Sequence, residues 1–76
     1  MSTDEFILEL VKEARKTQEI QWGTSEHSDL VWLAILMEEL GEAARSINYE
    51  NLGELQQEVV RISAVALGWL EQLTER

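Results

Sequence analysis

The chain has 76 residues, with no cysteine and no proline, and its 15 acidic residues outnumber 6 basic ones for a formal net charge of -9. A single domain over residues 1–76 is the expectation; disulfides and thiolate metal sites are excluded, and so acidic a surface argues against nucleic acid or an anionic membrane as partner. A domain this small buries little surface, which favours support from a metal or a second chain.

The segment Met1 to Glu5 has no basic region followed by an apolar run, so no signal peptide is expected. Apolar runs elsewhere are too short and too often interrupted to span a membrane, which makes a cytoplasmic location the expectation. A first helix is expected over Thr3–Trp22. Ser2 and Glu5 have capping-box spacing, and Phe6, Ile7, Leu10, Val11 and Ala14 form an apolar stripe. Gly23 suits a left-handed stop after Trp22.

Thr24 to Asp29 reads as a polar connection, with Ser28 or an earlier Ser or Thr capping a second helix that runs to Ile47. Leu30 to Met37 is apolar on every face, so this half is expected to be buried all round or to meet more than one neighbour. Asn48-Tyr49-Glu50 is a brief link, and Asn51 with Glu54 has capping-box spacing for a third helix over Leu52–Leu73.

In that helix Leu52, Leu55, Val59, Ile62, Ala66, Trp69 and Leu73 make a packing seam, and Val60, Ala64 and Leu67 form a second stripe. Two apolar faces need two partners. Three short helices can hardly cover all of these surfaces, so the expected architecture is all-α, with helices of two or more chains sharing one core.

Chemistry concentrates in Glu38-Glu39-Leu40-Gly41-Glu42. Helical neighbours lie three and four apart, so Trp32, Ile35, Glu39 and Glu42 share a row that turns acidic without leaving its face. Like charges so close repel one another, and a bridging cation removes that penalty. Gly41 in mid-helix suggests close approach by another backbone or a ligand. A competing reading is a surface pair between Arg45 and Glu42 or Glu38.

Glu58 lies about 60° from the centre of the third helix's seam at 100° per residue. If the second and third helices pack antiparallel, it comes level with Glu39 and Glu42. Three carboxylates on facing helices suit a hard cation such as Mg²⁺.

Taken together, Arg15 to Gly23 ending Q-W-G, Glu26-His27, W-L-A-I-L-M-E-E-L-G-E-A-A from Trp32 to Ala44, and Leu55 to Glu71 ending A-V-A-L-G-W-L-E carry a resemblance. The chain resembles the MazG-like family of all-α nucleoside triphosphate pyrophosphohydrolases. The resemblance covers most of the chain, from Arg15 to Leu73.

It implies a helical bundle assembled as a homodimer or homotetramer. It also implies Mg²⁺-dependent cleavage of a nucleoside triphosphate to monophosphate and pyrophosphate, with Mn²⁺ as an alternative metal. By position it implies Glu39, Glu42 and Glu58 as metal ligands and Glu38 and Glu39 as the catalytic acids, Glu38 in support. The family's fourth ligand, an Asp, falls where this chain has Arg61.

Arginine cannot bind a metal and stays charged. Arg61 is therefore expected to pair with one of the acids, to meet bound phosphates, or to turn to solvent. The departure places full family activity in question and opens an alternative: a catalytically degenerate helical binding or assembly module. A third reading is a plain helical interaction protein whose acids form a solvated face.

Trp22 reads as a hydrophobic plug or, through the resemblance, as a nucleobase platform. His27 reads as a solvated loop side chain or a substrate contact, and Trp32 and Trp69 read as core. A single histidine leaves no Ser–His–Asp arrangement, and there is no glycine-rich phosphate loop.

Overall fold

Each helix begins where a short polar side chain turns back on its own backbone. Ser2 Oγ accepts from Glu5 N at 3.2 Å, Ser28 Oγ from Val31 N at 3.2 Å and Asn51 Oδ1 from Glu54 N at 3.1 Å. Each cap satisfies one of the donors that a helix start leaves free. The computed structural model describes residues 2–23 and 26–76, so Thr24 and Ser25, the alternative caps of the second helix, lie outside the described residues.

The elements are α1, Thr3–Trp22; α2, Asp29–Asn48; and α3, Leu52–Thr74, with no strand among the described residues. Among them no helix is long and apolar enough to cross a membrane. The last two helices each end one residue beyond the sequence expectation.

Gly23 stops α1 with φ 76° and ψ -173°, a conformation that side chains disfavour. The α2–α3 reversal does without glycine. Glu50 takes φ 54°, while Glu50 N and Asn51 N donate to Ile47 O at 3.0 Å and Ser46 O at 2.9 Å. These bonds satisfy the carbonyls at the end of α2.

α3 lies between α1 and α2, which do not pack on each other. Two helices of the same chain thus pack on α3. The innermost strip of α3 is Glu58, Ala64, Val65 and Gly68, with Trp32 and Ala43 of α2 and Gln18 of α1 also buried. Small side chains at Ala64 and Gly68 leave room for helices on both sides. Over Gly68 the Arg15 guanidinium lies so close that an added Cβ would sit 2.6 Å from Nε.

This corrects three expectations. The seam of large residues is not the buried strip: Leu52 and Val59 are exposed and Trp69 is half-buried, its Nε1 donating to Asp29 Oδ1 at 3.0 Å. Leu30 to Met37 is not buried all round, because α3 is the only helix that α2 packs against, and Leu30, Val31, Leu33 and Met37 are exposed. Among the described residues nothing lies within 4 Å of a Cβ built on Gly41, so any backbone that approaches it is not one of this chain's described helices.

Candidate functional site

The hairpin runs antiparallel. Trp32, early in α2, donates through Nε1 to Gln72 Oε1, late in α3, at 2.8 Å. Glu39, in mid-α2, comes close enough to Glu58 in the first half of α3 for the two charges to act on each other, and both line one groove. Packing thus brings together two acids 19 residues apart.

The Glu58 side chain is nine-tenths buried. Its Oε1 accepts an ion-paired hydrogen bond from Arg61 Nη1, one turn along α3. No N–H or hydroxyl donor among the described residues reaches its buried Oε2. A buried carboxylate oxygen without a donor carries a large desolvation cost.

Partial burial raises the Glu39 carboxyl from 4.5 to about 7, with further upward pushes from the hydrogen bond to Glu58 and the charges of Glu58 and Glu42. Arg61 opposes the rise, so its charge acts on both acids. Near neutral pH Glu39 therefore carries a proton for part of the time, because its charged form is disfavoured by burial and by the neighbouring acids.

Glu42 contributes charge but stands apart, on the exposed side of α2, with Arg45 Nη1 3.8 Å away. Glu38 is exposed. Among the described residues no three His, Cys, Asp or Glu side chains gather as a metal-holding group. Mg²⁺, however, is commonly held by one or two carboxylates, with phosphate oxygens and waters completing its shell. Glu39 and Glu58, both on the wall of one groove, supply carboxylates of that number. The pair opens on a groove of about 1350 Å³ between α1 and α3, whose walls include Phe6, Leu10, Leu55 and Val59.

Trp22 lines both this groove and a smaller cleft of about 170 Å³ at the other end of the bundle. His27 belongs to that cleft and corrects the expectation of a solvated loop side chain. Its ring stands edge-on to Trp32, with centroids 4.8 Å apart, and to Trp22 at 6.2 Å. Its backbone is clamped by Gln72, which accepts from His27 N at 3.1 Å and donates to His27 O at 2.6 Å. Arg15 lies over the Trp32 ring at 5.8 Å and reaches Glu71 at 3.5 Å.

Gln72 and Arg15 are the organising residues that sequence reasoning missed. A glutamine within a helical stripe and an arginine in a polar run carry no signal of partners 40 or more residues away.

No family model, curated protein or solved structure matches the chain.

Proposed function

We propose that this chain is a MazG-like, Mg²⁺-dependent nucleoside triphosphate pyrophosphohydrolase that works as a homodimer or homotetramer and is weakened by Arg61. The observation that carries this reading is the approach of Glu39 to Glu58 across the α2–α3 hairpin, on the wall of one groove. That placement agrees with the roles implied by the family resemblance. Glu39 and Glu58 hold the cation, Glu42 adds negative charge and joins them on release from Arg45, and Glu38 supports from the exposed side. When bound, Mg²⁺ neutralises phosphate charge and acidifies a water for attack on phosphorus. Trp22 and His27, half-buried at the cleft, are the candidate contacts for the nucleoside.

A second reading has its own observation. Arg61 sits on Glu58, and Glu42 is not gathered with the other two acids. On that reading the chain keeps the fold as a binding or assembly module and has lost catalysis.

Product analysis separates the two. A panel of canonical and damaged nucleoside triphosphates, incubated with Mg²⁺ or Mn²⁺, is expected to yield monophosphate and pyrophosphate from at least one member, and Glu42→Gln is expected to lower the yield. A panel with no cleaved member rejects the enzyme and leaves the module.

A further inference from the structure

Arg61 is the only basic residue among the described residues that line the groove, and it stands where the carboxyl pair meets. Its partner is no ordinary surface acid. Exposed pairs are worth little because water screens both charges, whereas the Glu58 side chain is nine-tenths buried and only the Arg61 side is half exposed. A free dication arriving here meets a guanidinium already on one oxygen of Glu58. No third carboxylate has gathered to offset its displacement.

A metal–phosphate complex meets a different site. It brings its own oxygens to complete the cation's shell, and it presents an anion to the guanidinium as that group leaves Glu58. The planar fork of arginine suits phosphate oxygens, which it binds through paired, charge-assisted hydrogen bonds. The chain is strongly acidic, so a positive group at this point is also what lets a polyanion approach.

We infer that Arg61 is a resident guanidinium that closes the Glu39–Glu58 site to free divalent cations and opens it to their phosphate complexes, exchanging Glu58 for phosphate as the complex binds. This rests on the reading of Glu39 and Glu58 as the cation-holding pair.

The test is thermal melting of the whole chain, at matched free Mg²⁺, with Mg²⁺ alone and with Mg²⁺ plus inorganic pyrophosphate. For the wild type, Mg²⁺ alone is expected to leave the melting temperature unchanged. The pyrophosphate complex is expected to raise it by about 5 °C or more at saturation. Arg61→Gln reverses the order: Mg²⁺ alone raises the melting temperature, and pyrophosphate adds nothing. Arg61→Lys keeps the charge and keeps the refusal of free Mg²⁺.

A wild type that responds to Mg²⁺ alone as strongly as to the complex overturns the inference, and this arm needs no variant to fold. So does an Arg61→Gln chain that behaves like the wild type. The nucleotide panel reads out separately: no cleavage with these ligand responses intact sinks the enzyme and leaves the role of Arg61 standing. Cleavage without them does the reverse.

Discussion

At the residue scale the carboxyl pair makes a pH prediction of definite sign. Glu39 is raised from 4.5 to about 7 in the folded chain, chiefly by burial and then by Glu58. Between those values the folded state holds a proton that the unfolded state has released. The resulting stability is full below about pH 4.5 and is lost as pH rises through about 7. The melting temperature of the metal-free chain should fall over that interval. Glu39→Gln, whose amide donates to Glu58 at any pH, should flatten the fall, as a melting series across the interval will read. An unchanged slope in the variant would place the proton elsewhere. The approach of Glu39 to Glu58 was legible from spacing, because Glu39 turns an apolar row acidic and Glu58 flanks the opposing helix; Glu42, expected inward beside Glu39, instead stands exposed against Arg45. The direction in which Arg61 turns was not legible, because pairing, phosphate contact and solvent were all compatible with its place on α3.

At the element scale the caps and stops were written plainly, since Ser2, Ser28, Asn51 and Gly23 act through their own backbone within three residues. The packing of α3 was not. Large side chains at three- and four-residue steps imitate a core seam, yet the strip that is buried has small residues, because they admit two helices at once. The α2–α3 turn offers a direct check. Glu50 holds a left-handed φ of 54°, a conformation that costs a residue with a Cβ about 1–2 kcal/mol and glycine little. Glycine gives back part of that gain through its freer unfolded chain. Glu50→Gly should therefore raise stability to urea by up to about 1 kcal/mol. A loss of that size would mean that the Glu50 side chain supports the turn.

At the scale of the whole molecule, one chain leaves much apolar surface uncovered. Phe6, Ile7 and Leu10 on α1, Leu30 and Met37 on α2 and Leu70 on α3 are all exposed. Apolar surface of this extent is the usual mark of an interface, and it agrees with the proposed homo-oligomer. Glu39 and Glu58 lie within the α2–α3 hairpin, with the aromatic cleft farther along α3.

Pyrophosphate release tests the proposed catalytic role of this hairpin most directly. With Mg²⁺ and the nucleoside triphosphate that the panel selects, the wild type is predicted to release pyrophosphate, and Glu39→Gln is predicted to cut the rate by about 100-fold or more. A Glu39→Gln chain that keeps the wild-type rate would contradict the account.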